Sequence, residues 1–471
     1  MASFSERYHE LSKLLQPGFS LYGPRWERRL PEQKFYGEAP RFKLELGEEG
    51  ELEFGGKGFL AHLLQGVAGV EAGNFGGFKP RPHPSPGMIF SANVFLALRG
   101  TALPDGVYFF EADSCELVQV GGLDYLLSLG ASFPEFSAFR RASVSVLLTV
   151  SLDRAVPRFG EAAYRLCVLE AGGALSNILQ AASSAGVYAV PLGGFVDAEW
   201  EHVLELPSGE FPVAAVALGP EFKATRPEVL PSLDPYEAFK TLALDSSLAQ
   251  LLCQNAAERI PEVYSRPQIP ALPEEHAWNA RPLLPDHSLT EIFKAAPTEF
   301  FRPHAKHLFA PLSLSLVEFS AVLTAALEGN SPHFSAGFLA CYVAVLNVEG
   351  FVPGLYRYSF SENSLSMFCS ENPRSGLETS HSAQRLAERA NFAVLFAANL
   401  DAATRLLGDR AYRYLLLDAG ILDSALAMFA SGLGLEAHGE FGFYENILKR
   451  KIGLDTKESI LHETLVGKPI S

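Results

Sequence analysis

The feature that most constrains this chain is an internal repeat of very long period. Ala411 to Gly420 reads AYRYLLLDAG where Ala163 to Gly172 reads AYRLCVLEAG, six identities in ten at an offset of 411 − 163 = 248 residues. The match continues outward. Asp105-Gly106 opens the strand-like VYFFEAD, and Gly354 opens LYRYSF 354 − 106 = 248 residues later. Gly219 and Gly467 close both copies at the same offset. A repeat of that span covers whole domains, so the first reading is one duplicated domain.

Within the first copy, Ala163 to Phe195 predicts a helix ending at Gly186, a short buried strand VYAV and a glycine loop. Gly172 and Gly173 each cost roughly 1 kcal/mol in a helix interior. Their small neighbours Ala171, Ala174, Ala181 and Ala182 would let another helix approach closely. Pro191-Leu192-Gly193-Gly194 then forms a loop whose backbone amides can reach a flat ligand. Elsewhere SFSERYHELSKLL and FLAHLLQGVAGV read as helices, while SANVFLAL, SVSVLLTVSL and FPVAAVAL read as strands, which makes the fold α+β. The expected organisation is an N-terminal arm at 1–46, a first domain at 47–222, a proline-rich connector at 223–285 with a helix near Tyr236 to Glu258, and a second, diverged domain at 286–471.

The sequence of 471 residues, 48% hydrophobic and of net charge −16, is globular and ill suited to nucleic acid or an anionic membrane. Apolar runs such as Gly337 to Val348 are too short to span a bilayer, and no signal-peptide core opens the chain, so a cytoplasmic setting is expected. Five scattered cysteines without a CxxC pair read as reduced thiols.

His83-Pro-Ser-Pro-Gly87 faces His333-Phe-Ser-Ala-Gly337 in the other copy, each just before a strong strand. Ser85 and Gly87, and Ser335 and Gly337, are therefore candidates for close ligand approach, with Arg81 beside the first turn. Cations placed to hold an anion are Lys223 and Arg226 after the first copy's last strand, and Arg302, His304 and Lys306 ahead of the second copy's first helix. His304 and His307 lack further ligands in register, so no metal site is expected. Walker, dinucleotide-binding, GxSxG and HExxH motifs are absent from the sequence.

In order and spacing, RFGEAAYRLCVLEAGGALSNILQAASSAGVYAVPLGGF, RPHPSPG, LPDGVYFFEAD and the opening YHELSK resemble the SagB-type branch of the nitroreductase superfamily. These are flavin enzymes that oxidise thiazolines and oxazolines in modified peptides. The resemblance implies FMN, two fused nitroreductase-like domains acting as an internal pseudo-dimer that can stand as a monomer, and a small-molecule or peptide substrate. By the family pattern the Pro191 to Gly194 loop supplies an amide to the ring, and Ser335 to Gly337 flank it. FMN carries a phosphate dianion, so the cations above would hold that end. Catalytic residues are not assigned. The family's arginine-rich phosphate loop is missing from copy one, Arg158-Phe159 replaces a Lys-Tyr pair, and Gly173 replaces a histidine. These departures weigh against azoline oxidation as the specific reaction. The competing reading is a flavin-less scaffold that assists a peptide-modifying system.

Overall fold

Long apolar runs without polar alternation, such as VSVLLTVS, have to be covered on both faces, and the strands of this chain are. The computed structural model describes residues 3–13, 36–45, 53–70, 80–134, 137–220, 281–282, 309–328, 330, 332–335, 337–381, 384–454 and 457–470. These divide into two compact units: 3–8, 36–220 and 404–417 in the first, and 9–13, 281–403 and 418–470 in the second. The helix expected near Tyr236 to Glu258 lies outside the described residues.

The first unit contains a seven-stranded sheet of β1 (Arg41–Lys43), β2 (Ala92–Leu98), β3 (Gly106–Glu111), β4 (Glu116–Gly121), β5 (Val144–Ser151), β6 (Tyr188–Leu192) and β7 (Glu210–Gly219). Its order is β1-β4-β3-β2-β5-β7-β6, and every neighbouring pair is antiparallel. Its helices are α1 (Phe4–Ser12, shared with the second unit), α2 (Lys57–Ala68), α3 (Leu123–Ala131), α4 (Leu152–Phe159), α5 (Ala163–Ser184) and α6 (Asp197–Val203). Helix α5 crosses strands β2, β5, β6 and β7 and is itself covered by α2 and α4. Helices α3 and α6 pack near the opposite core of Phe95, Phe109, Phe133, Leu147 and Trp200.

The second unit repeats that order. Its sheet comprises β8 (Arg281–Pro282), β9 (Leu339–Val345), β10 (Gly354–Ser359), β11 (Ser364–Cys369), β12 (Phe392–Ala398), β13 (Glu436–Glu440) and β14 (Ser459–Gly467), arranged β13-β14-β12-β9-β10-β11-β8. Register repeats as well: Val144 pairs with Leu218 and Phe392 with Val466, both members displaced by 392 − 144 = 248. The described helices are α7 (Leu316–Leu323), α8 (Arg374–Ser380), α9 (Gln384–Arg389), α10 (Leu400–Leu407), α11 (Arg410–Gly432) and α12 (Glu445–Lys451). Residues of α11 up to Leu417 belong to the first unit.

The structure differs from the sequence reading in three places. Pro191 and Leu192 belong to strand β6 rather than to the loop, because β6 is an edge strand and a proline there forfeits no inner ladder bond. Tyr188, at its start, is 48% exposed, so the strand is buried only toward its end. Arg281 and Pro282, assigned to the connector, instead form the outer strand β8 on β11. Helix α11, interrupted in sequence by charges, is nonetheless long and apolar enough to cross a membrane by length and composition. It is packed as a core helix, with 72% of its most apolar window buried.

Both long helices stop by the same device. Gly186, at φ +67°, ends α5 with its N–H on Ser183 O, and Gly434, at φ +70°, ends α11 with its N–H on Ser431 O. A Cβ at Gly434 would meet no atom within 4 Å, so Gly434→Ala isolates the cost of the left-handed backbone. Denaturant unfolding of this variant is expected to show a loss of about 1 kcal/mol. An unchanged midpoint would show that the turn relaxes to another conformation.

Candidate functional site

Strand β6 delivers its chain into Gly193 and Gly194, both buried, and the carbonyl oxygen of Gly193 is held by three donated hydrogen bonds. Arg410 contributes two, from Nε at 3.1 Å and Nη2 at 2.9 Å, and the Tyr414 hydroxyl gives the third at 3.0 Å. Tyr414 in turn accepts from Arg410 Nε at 3.1 Å. Residues 410, 413 and 414 share one face of α11 by their i, i+3, i+4 spacing. Arg410 Nη1 reaches Asp197 Oδ2, and Arg413 Nη1 reaches Asp197 Oδ1 at 2.5 Å. Both guanidinium groups are fully buried against this single carboxylate. Burial alone would lower the Arg413 pKa, but Asp197 together with Tyr164 holds it above the ordinary arginine value. Two buried guanidinium groups thus share one carboxylate beside the loop, and the Glu201 carboxyl stands near Arg413 and Asp197 as well.

Arg410 also lies over the Phe195 ring at 4.7 Å, and Phe195 stacks on Trp200 at 4.2 Å. Trp200 is pinned through Nε1 to Ser132 Oγ at 2.9 Å. Among the described residues, no acceptor meets the N–H of Gly193 or Gly194. A buried amide without an acceptor is rare enough to require a reason, and a ligand acceptor is one.

The His83 to Gly87 turn is occupied with a second task. Glu170, on α5, is 3% exposed and accepts from Ser85 Oγ at 2.6 Å and the Ala92 amide at 2.8 Å, with His83 Nε2 3.7 Å away. Burial opposes its ionisation, yet these donors hold the carboxylate below its ordinary range. Gly87 sits at φ +60° and its carbonyl accepts from Arg158 Nη1 at 3.0 Å. Arg81 is 7% exposed, lies 5.4 Å from the Phe90 ring centroid and lines a small pocket with Asn93, Phe110 and Glu111. Burial, then the neighbouring Arg154, lower its pKa to about 10.

The second unit meets the same requirement at Asp418, 418 − 170 = 248 residues on from Glu170. Its carboxylate accepts from the amides of His333 at 2.8 Å, Phe334 at 3.0 Å and Ser335 at 2.7 Å. Ser335 and Gly337 thus stand in a turn built around Asp418, in the second unit, while Pro191, Leu192, Gly193, Gly194, Arg81, Ser85 and Gly87 stand in the first. Lys223, Arg226, Arg302, His304 and Lys306 lie outside the described residues. Sequence reasoning missed Arg410, Arg413, Tyr414 and Asp197, and missed the two buried acids although the repeat itself aligns Glu170 with Asp418.

Where the first unit has an apolar core, the second has ionisable groups. At the same offset of 248, Phe133, Leu175, Leu192, Ala214 and Ala215 become His381, Asp423, Glu440, His462 and Glu463. His381 Nε2 lies 2.9 Å from Glu463 Oε2 and His462 Nε2 3.2 Å from Asp423 Oδ1, while Thr464 Oγ1 donates to Asp423 Oδ1 at 2.6 Å. Burial raises the Glu440 pKa, and nearby Glu463 adds to that while His381 opposes it. Among the described residues, no group of three such side chains is arranged to hold a metal ion.

An antiparallel seven-stranded sheet crossed by one long buried helix, with a glycine turn at the end of an edge strand, defines an α+β protein of the nitroreductase fold. Residues 110–220 match the family described as Nitroreductase family. The whole chain superposes on the crystal structure of a candidate nitroreductase from Anabaena variabilis with a TM-score of 0.86 and 21% identity, covering 100% of both chains. A candidate nitroreductase of Methanocaldococcus jannaschii is 30% identical over 132 residues, 28% of this chain and 66% of that protein's length.

The polar cluster of the second unit has a consequence for pH. Burial alone would lower the His381 pKa, but Glu463, the Leu377 carbonyl and Glu440 together hold it up to about 9, from an ordinary 6.5. The added stability is complete below about pH 6.5, where the unfolded histidine is also protonated, and is lost as pH rises through about 9. Its size is on the order of 3 kcal/mol. Unfolding free energies measured from pH 6 to 10 are expected to fall for the native protein and to stay flatter for His381→Gln; parallel profiles would refute the pairing.

Proposed function

We propose that this chain is an FMN-dependent oxidoreductase that moves a hydride to or from an organic substrate, as the nitroreductase fold and the family match over residues 110–220 suggest. The observation that carries the reading is the loop at Gly193 and Gly194: amides that meet no acceptor among the described residues, next to the buried Arg410 and Arg413 guanidinium groups that share Asp197. Such residues fit a flavin. An isoalloxazine presents ring nitrogens that accept hydrogen bonds, and its reduced form gains negative charge that a nearby cation stabilises. FMN, when bound, supplies the reversible hydride chemistry. The protein's part is to present the Gly194 N–H to the ring, to keep water from the loop by burying it under Phe195 and Trp200, and to hold charge beside it. Lys223 and Arg226, with Arg81 as the described alternative, would hold the phosphate.

The finer reading is that the two units descend from one duplicated domain, as the SagB-type branch resemblance and the repeated strand order suggest, and form an internal pseudo-dimer in the cytoplasm acting on a small molecule or peptide. One flavin per chain is expected, at the Gly193 loop. The corresponding loop of the second unit reads Gly439-Glu440-Phe441-Gly442 and has Glu440, His381 and Glu463 near one another. A buried acid there would oppose an anionic reduced ring. Absorbance and FMN release from the purified protein test the proposal. One FMN per chain is expected, with Gly194→Val abolishing binding and Gly442→Val retaining it. A folded protein that takes up no added FMN would favour the scaffold reading instead.

A further inference from the structure

A glycine pair at the end of a strand is the part of a backbone most able to flip, because neither residue has a Cβ to restrict its dihedral angles. The peptide between Gly193 and Gly194 is planar and trans, so its carbonyl and its N–H point in opposite directions. Whatever fixes one fixes the other. Here the carbonyl oxygen receives Arg410 Nε, Arg410 Nη2 and Tyr414 Oη within 2.9–3.1 Å, two of them from a cation. The donors are themselves held. Arg410 is tied to Asp197 and stands over Phe195, and Asp197 is shared with Arg413. A flipped peptide would strand all three donors in a site with no exposure to water.

We infer, resting on the flavin reading above, that Arg410 and Tyr414 are positioning residues that lock the Gly193–Gly194 peptide so that the Gly194 N–H is presented to the flavin ring. The clamp has no counterpart within the repeat. Residues 248 positions earlier than Arg410 and Tyr414 are Ala162 and Leu166, which have no side-chain donor, and Phe441 replaces Gly193. Asp197 does have one, Glu445, but that carboxylate is met by His9 at 2.9 Å and by the Ile460 amide at 3.0 Å instead. The helix segment that carries the clamp therefore serves one loop, the one whose amides meet no acceptor among the described residues.

The full-length apoprotein titrated with FMN tests this, read by quenching of flavin fluorescence and by the midpoint potential of the bound flavin. Tyr414→Phe removes one donor and leaves the Arg410–Asp197 pair intact. It is expected to weaken FMN binding about 5- to 10-fold, and Arg410→Gln about 100-fold, from the usual strength of neutral and charged hydrogen bonds. Arg410→Lys, which keeps the charge but cannot give two hydrogen bonds from a planar fork, should recover the potential more fully than the affinity. Hydrogen exchange of the apoprotein supplies a flavin-free readout: amides of the 193–195 loop should exchange faster in Tyr414→Phe by more than the accompanying fall in global stability accounts for. Native binding with wild-type affinity, potential and exchange in Tyr414→Phe would overturn the inference and leave the flavin reading standing. Failure of the native protein to bind FMN would overturn the flavin reading and this inference with it, while a fold disrupted in Arg410→Gln leaves Tyr414→Phe to decide.

Discussion

The whole structure depends on a single constraint: each polar group that the long helices carry into the interior has to be met there. Helices α5 and α11 are buried nearly all round, so their acids and arginines have no route to water. Leaving one such charge unpaired would cost several kcal/mol, on the order of the stability of a whole domain. The turns around Ser85 and Ser335 are the answers to Glu170 and Asp418. In the same way the loop after β6 is the answer to Arg410, and the start of α6 is the answer to Arg410 and Arg413.

This requirement links fold to site. The donors that satisfy the Gly193 carbonyl also fix the direction of the Gly194 amide on the other side of the same peptide, which meets no acceptor among the described residues. Rigidity at that point comes from charge-assisted hydrogen bonds rather than from side-chain packing, since glycine has none to offer. The buried Phe195 ring lies against Arg410 and stacks on Trp200, and this dry surrounding strengthens the electrostatic interactions of the clamp.

The two units share a strand order and have interiors of different chemistry. The apolar positions Phe133, Leu192 and Ala215 correspond to His381, Glu440 and Glu463, a change from a core stabilised by burial to one in which charges must neutralise one another. Strand order survives that change because it depends on backbone pairing and on the buried helix. Ligand preference does not, because it depends on which side chains stand at the end of β6 or of β13.

The amino-acid sequence by itself determined the repeat, the α+β class, the main strands of the first copy, the long helix α5 and the glycine that stops it. These are properties of local pattern: apolar periodicity, turn chemistry and a 248-residue echo are written in consecutive residues. It also marked the Gly193 loop as a candidate, because glycines at the end of a strand are visible without a fold. Only the tertiary structure decided that Ser85 is engaged with Glu170, that Pro191 belongs to an edge strand, and that Arg410 and Tyr414 hold a carbonyl more than 200 residues away in the chain. A hydrogen bond between residues so far apart leaves no periodic trace in the sequence, since its partners are chosen by the packing of a helix against a sheet.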